Sequence, residues 1–195
     1  MRPRLILAST SPRRRDLLVA AGYEIRIEPS HVDEPEPAMG TPVVPYVADL
    51  AFRKAIAVAE RLGSGLILAA DTACAVEGEI LNKPVDRRDA ERMIRLQEGR
   101  DTEVVTGLCI MRAEWREWVA AVESSLVHIR PLTDVERNAH LDDEVRWSGK
   151  AGAYGVQDSD PYVTVTRGSW SNVVGLPMER LEALLLAYPR LTHGL

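Results

Sequence analysis

The chain has 195 residues, 46% hydrophobic and 27% charged, with 13 Gly and 12 Pro, the make-up of an ordinary globular protein long enough to bury a real core. Twenty-four Lys and Arg against 29 Asp and Glu leave a formal net charge of −5, which argues against a general polyanion binder and requires any anion site to be a local cluster of cations. Two cysteines cannot build a disulfide framework, no apolar run approaches a membrane span, and the apolar stretch Leu5 to Ala8 is too short for a signal peptide, so the expectation is a cytoplasmic protein with no nucleic-acid and no membrane partner.

Leu5 to Ala8 reads as a strand running into Ser9-Thr10-Ser11-Pro12, with Ser11 as N-cap, Pro12 as first helical position and Gly22 as the stop. Glu24 to Glu28 alternates apolar and charged residues like a half-buried strand, and Ser30 to Pro42 reads as an exposed acidic loop. Thr41-Pro42 repeats the cap-plus-proline signature for a helix reaching Leu62 and closed by Gly63. The apolar run Leu66 to Ala70 suits a buried parallel strand that stops at Asp71-Thr72. Ala73 to Glu77 and Ile80-Leu81 flank Gly78-Glu79 as a hairpin, and Asp86 caps a helix ending near Gly99.

Glu103 to Arg112 and Trp118 to Ile129 read as two long strands paired antiparallel. Thr133-Asp134-Val135-Glu136 is a capping box before a short helix, Lys150 to Gln157 is glycine-rich and irregular, Tyr162 to Thr166 is a strand, and Leu176-Pro177 opens a last amphipathic helix. With no repeat and no separable linker, residues 1–195 read as a single α/β domain with a mixed sheet.

Several residues have both a chemical and a bland reading. Ser9, Ser11, Arg13 and Arg14 sit at a helix N-terminus, where arginines oppose the macrodipole unless an anion compensates; the alternative is a solvated basic face. Asp71, at the carboxyl end of a central strand, can hold a divalent cation or activate water, or it can simply form a turn. Glu34 lies in the acidic stretch 32–36, and Lys54 and Lys83 are equally phosphate contacts or surface charges. Lys150 to Gln157 allows close backbone approach and ends in an amide able to bond a base edge, yet it is neither a P-loop nor a dinucleotide fingerprint. His128 reads as a strand residue, His31, His140 and His193 as surface residues without metal spacing, the tryptophans as packing, and Cys74 as a small buried side chain.

Taken in order, Leu7-Ala8-Ser9-Thr10-Ser11-Pro12-Arg13-Arg14, Asp33-Glu34, Lys54-Ala55, Ala70-Asp71-Thr72, Lys83-Pro84, Thr106-Gly107, Lys150 to Gln157 and Ser171 to Pro177 resemble the Maf family of nucleoside triphosphate pyrophosphatases. The resemblance implies a fold like the inosine triphosphate pyrophosphatases, with a mixed twisted sheet, flanking helices and two lobes around a deep cleft. It implies Mg²⁺- or Mn²⁺-dependent hydrolysis of nucleoside triphosphates to monophosphate and pyrophosphate, as house-cleaning of the nucleotide pool. Asp71 matches the proton acceptor; Ser9, Arg13, Arg14, Lys54 and Lys83 match phosphate contacts; Glu34, with Asp71, matches the metal site. Ser11 belongs to the same substrate-binding turn, and Arg13, Thr72 and Gln157 match positions tied to substrate choice, here like the branch preferring dTTP and UTP or modified pyrimidine nucleotides. Relatives are often homodimers, and the family also suggests an alternative, a nucleotide-binding regulator of septum formation. The chain departs from the family's usual pattern at Asn82, at Thr102 in place of a His, and over Glu144 to Gly149.

Overall fold

A computed structural model describes residues 2–156 and 161–192. Strands β1 (Leu5–Leu7), β2 (Ile25–Ile27), β3 (Leu66–Val76), β4 (Glu79–Leu81), β5 (Arg100–Arg112), β6 (Glu117–Ile129) and β7 (Val163–Arg167) form one seven-stranded sheet of order β2-β1-β3-β5-β6-β7, with β4 on β3. β1 is parallel to β2 and β3, and the remaining pairs are antiparallel. The mixed sheet is as the alternation of strands with helices predicts, and the long β5–β6 hairpin is as the two β-rich runs predict.

Helices α1 (Pro12–Ala20), α2 (Val43–Leu62), α3 (Arg87–Gln97), α4 (Asp134–Asp142), α5 (Glu144–Trp147), α6 (Trp170–Val174), α7 (Met178–Ala187) and α8 (Pro189–Thr192) flank the sheet. None among the described residues is long and apolar enough to cross a membrane. Asp86 accepts from the Asp89 N–H at 2.7 Å, and Thr133 with Glu136 forms the expected reciprocal capping box. Ser11 is the N-cap of α1, but its side chain makes no capping bond; α2 starts at Val43 with Pro42 as N-cap, so Thr41 does not cap it.

Alternate residues of β3 face opposite layers. Leu66, Leu68 and Ala70 pack with Leu18, Leu176 and Leu181, whereas Ile67 and Ala69 pack with Ala51, Ala55 and Val58 of α2. A further cluster at the other end of the sheet joins Met93, Ile94, Val104, Leu141 and Trp147 around α3, α4 and α5. The core is thus divided between the two ends of the sheet.

Three local expectations need correction. β3 does not stop at Asp71: it continues to Val76 because Asp71 and Thr72 stay paired with Gly107 and Thr106 of β5. The hairpin turn is Glu77-Gly78, both at positive φ (50° and 80°), which suits the right-handed twist of the paired strands. His140 is not a surface residue; it is 1% exposed and its Nε2 lies 3.0 Å from the Ala153 carbonyl oxygen. Of the tryptophans, Trp147 is buried as packing requires, while Trp115, Trp118 and Trp170 are half exposed.

Gly107 sets how close α2 comes to the sheet. A Cβ there would lie 2.3 Å from the Val47 carbonyl oxygen of α2, a backbone atom that cannot swing aside. Gly107→Ala is therefore expected to lift α2 off β5 and to lower stability by about 1–3 kcal/mol, checked by urea unfolding against wild type.

Candidate active site

β1 ends at Leu7, having paired with β3 only through Ile67 and Leu68, and β4 joins the same edge of β3 only from Cys74 onward. Among the described residues this leaves Ala69 to Ala73 without a strand neighbour on that side. Asp71 and Thr72 therefore sit at a break in the sheet edge. The chain leaving β1 turns there through Ser9 and Ser11 into α1, so the end of a central parallel strand at the site is that of β1, not β3.

Asp71 continues the α2-facing row of β3 and is 7% exposed. Lys54, two helical turns beyond Val47 on the buried face of α2, puts Nζ 2.5 Å from Asp71 Oδ1 and 2.6 Å from Glu34 Oε1. Glu34 comes from the acidic loop and also has Lys83 Nζ 4.0 Å away. Burial alone pulls the Glu34 carboxyl upward, but its hydrogen bond and attraction to Lys54, with Lys83 and Arg14 adding, leave it below the usual glutamate value.

Thr72 lies on the opposite face of β3. Its Oγ1 is 2.9 Å from Thr106 Oγ1 and 3.0 Å from a guanidinium nitrogen of Arg14. Arg14 also donates to Ser9 Oγ at 3.1 Å and, through Nε, to the Gly175 carbonyl at 2.8 Å. Burial pushes this guanidinium down from its ordinary value, Asp71 working against the shift, and Arg13 reinforcing it. Arg13 donates to the Gly149 carbonyl at 3.0 Å, a contact reaching the segment that carries α5. Ser9 Oγ accepts the Ser11 N–H at 3.2 Å, which shapes the turn before α1.

These side chains border a cleft of about 590 Å³. Ser9, Ser11, Arg13, Arg14, Glu34, Lys54, Thr72 and Lys83 all line it, whereas Asp71 does not: the Lys54 side chain lies over it. Gln157 lies outside the described residues. The opposite wall is mostly apolar, with Val104, Val127, Ile129 and Val163. Cys74 also faces the cleft, but burial drives its thiol up to about 12, which removes it as a thiolate nucleophile near neutral pH.

Two carboxylates under four cations suit a triphosphate far better than they suit each other. Among the described residues no group of three or more His, Cys, Asp or Glu converges as a metal cage. Mg²⁺, however, is held through one or two carboxylates plus waters and substrate phosphate, and Glu34 and Asp71 already aim an oxygen each at one cationic atom. The donor set fits such an ion.

Sequence reasoning missed Gln97, which supports the far wall. Gln97 donates to the Gly152 carbonyl at 2.6 Å and the Met93 carbonyl at 2.9 Å, fixing the 3-10 turn Ala151–Ala153. Asn82 accepts the Gly152 N–H at 3.1 Å through its carbonyl and donates to the Tyr46 hydroxyl at 3.2 Å. Thr102 is 1% exposed and its hydroxyl has no hydrogen-bond partner among the described residues, and Glu144 is exposed and does not line the cleft. A buried amide at the end of the apolar face of α3 was the one available signal for Gln97.

Because Glu34 is held below its ordinary value in the folded chain, its contribution to stability is present at neutral pH and is lost as pH falls through the folded value. Carbon-13 NMR of the glutamate carboxyls is expected to show Glu34 titrating below an unperturbed glutamate; titration at or above that value refutes the contact with Lys54.

A family model described as Maf-like protein matches residues 4–188. The dTTP/UTP pyrophosphatase of Rhodopirellula baltica is 46% identical over 183 residues, covering 93% of this chain and 80% of its own length. The dTTP/UTP pyrophosphatase of Pelotomaculum thermopropionicum is 40% identical over 182 residues, covering 93% and 94% respectively. The solved structure of the Staphylococcus aureus Ham1 protein shares the fold, with a TM-score of 0.54 over 94% of this chain and 98% of that one at 12% identity. With a family model spanning nearly its whole length and relatives of this identity, the chain belongs to the Maf family.

Proposed function

We propose that the protein is a nucleoside triphosphate pyrophosphatase that hydrolyses the α–β anhydride of dTTP and UTP, or of modified pyrimidine nucleotides, to the monophosphate and pyrophosphate. The observation that carries this reading is the convergence of Arg13, Arg14, Lys54 and Lys83 on one cleft that also holds Glu34 and the covered Asp71. The names of the curated relatives at 46% and 40% identity support the substrate class.

The chemistry asked of these residues is limited. Water adds across the α–β anhydride, one P–O bond forms and one breaks, and a proton must leave the water as pyrophosphate departs. Asp71 takes that proton once Lys54 has moved from its oxygen. Lys54, Lys83, Arg13 and Arg14 hold the phosphates and offset the charge that gathers on them, and the hydroxyls of Ser9 and Ser11 orient the same oxygens. Glu34 and Asp71 would hold Mg²⁺ or Mn²⁺, which when bound neutralises phosphate charge. Arg13, Thr72 and Gln157 act in the choice of nucleotide.

Pyrophosphate release measured with Mg²⁺ or Mn²⁺ over a panel of canonical and base-modified triphosphates tests the reading. Selective turnover of dTTP and UTP is expected, with Asp71→Asn lowering kcat about 10²- to 10⁴-fold while nucleotide binding is kept. Absence of turnover on every triphosphate sinks the enzyme reading and leaves nucleotide-dependent regulation in its place.

A further inference from the structure

Lys54 holds a position that a phosphate-binding lysine has no reason to hold. Its ammonium touches both carboxylates at once, 2.5 Å from Asp71 and 2.6 Å from Glu34, and its side chain is 7% exposed. Two of its three N–H donors are thereby used on the oxygens that fit a divalent cation. A dication bridging the same two oxygens would approach them still closer, at about 2.0–2.1 Å for magnesium, and two cations crowded between one pair of carboxylates repel each other.

Charge points the same way. With Arg13, Arg14, Lys54 and Lys83 around Glu34 and Asp71, the resting cluster already carries more positive than negative charge. Bringing in a dication alone raises that excess and strips the ammonium, whose side chain is 7% exposed, of its anions. A triphosphate changes both conditions, since it brings the anion that the ammonium needs and the charge that the dication needs.

We propose that Lys54 is the resting occupant of the cation position between Glu34 and Asp71, so that the protein takes up a divalent metal ion only together with a nucleotide. The proposal rests on the functional reading above, in which Glu34 and Asp71 hold the metal and Lys54 meets phosphate. It makes Lys54 a positioning residue before it is a phosphate contact. Until nucleotide arrives, its side chain keeps the carboxylate of Asp71 covered and away from water.

Two measurements test it, neither needing turnover. In the first, Mn²⁺ binding to the nucleotide-free protein is followed by the electron paramagnetic resonance of the free ion, for wild type and for Lys54→Met, an unbranched side chain one atom shorter and without the charge. Weak binding by wild type is expected, and binding tighter by roughly 5- to 150-fold by the variant, the usual span for coupled ligands. A folded variant that binds Mn²⁺ no more tightly than wild type overturns the proposal.

The second measurement uses wild type alone and decides the matter if Lys54→Met does not fold. Nitrogen-15 NMR of the lysine ammonium groups should show the Lys54 signal unmoved by Mg²⁺ alone and shifted by Mg²⁺ with a UTP analogue carrying a methylene bridge between the α and β phosphorus atoms. Displacement by Mg²⁺ alone, or no displacement by the pair, overturns the proposal. Wild type that hydrolyses UTP while either test fails leaves the pyrophosphatase reading standing; wild type inactive on every triphosphate removes that reading whatever the metal measurements give.

Discussion

An ammonium and a carboxylate that face each other with less than about a tenth of either side chain exposed make a demanding contact for this fold. Taking each charge out of water costs several kcal/mol, repaid only when geometry is good and no partner is left over. Lys54 and Asp71 therefore need helix and strand in fixed register, and the sequence meets that need at Gly107. This residue lies directly across the ladder from Asp71, and its missing side chain lets the Val47 turn of α2 rest on β5. Two turns further along, Lys54 reaches the strand. Glycine at one position of β5 thus sets a salt bridge made by two other elements.

The break in the edge of β3 has an equally local origin. β1 is only three residues long, and β4 joins β3 through three pairs. Among the described residues the strand between them pairs with β5 alone, so carboxylate and hydroxyl stand at the break on opposite faces of the same strand. Asp71 meets α2, while Thr72 meets Arg14, Thr106 and the Gly175 carbonyl. Gly175 O accepts from both Arg14 and Thr72, which ties the loop after α6 to the start of α1.

Much of the fold was legible because it rests on local patterns. Two long β-rich runs marked the hairpin, Thr133 and Glu136 marked the start of α4, and the glycine ending α2 sits at a φ of 68° as a helix stop requires. Asp71 was legible as a residue but not as a position, since a run of apolar residues followed by Asp looks like a strand end. Only the neighbouring strand shows that pairing continues. His140 looked polar and exposed, yet it lies beneath Ala153, whose φ of 64° is a conformation that a non-glycine residue keeps only when its surroundings fix it. That constraint comes from Gln97 and His140 together, residues far apart in the chain, and no spacing rule connects them.

The departures from the family pattern fall in one part of the molecule. Asn82 holds the Gly152 turn and Tyr46, Thr102 stands in the wall beside Val104 and Val127, and the stretch 144–149 builds α5 and presents the Gly149 carbonyl to Arg13. Among the described residues none of them shares a hydrogen bond or ion pair with Lys54, Asp71 or Glu34. Among the described residues the buried Thr102 hydroxyl has no hydrogen-bond partner, and an uncompensated polar group of this kind costs about 1–3 kcal/mol. The charged half of the cleft, by contrast, satisfies the ions it buries. Changes along this side of the cleft alter the shape and polarity offered to the rest of a substrate, and through the Gly149 carbonyl they reach Arg13, while the contact of Lys54 with Asp71 and Glu34 is made by other elements.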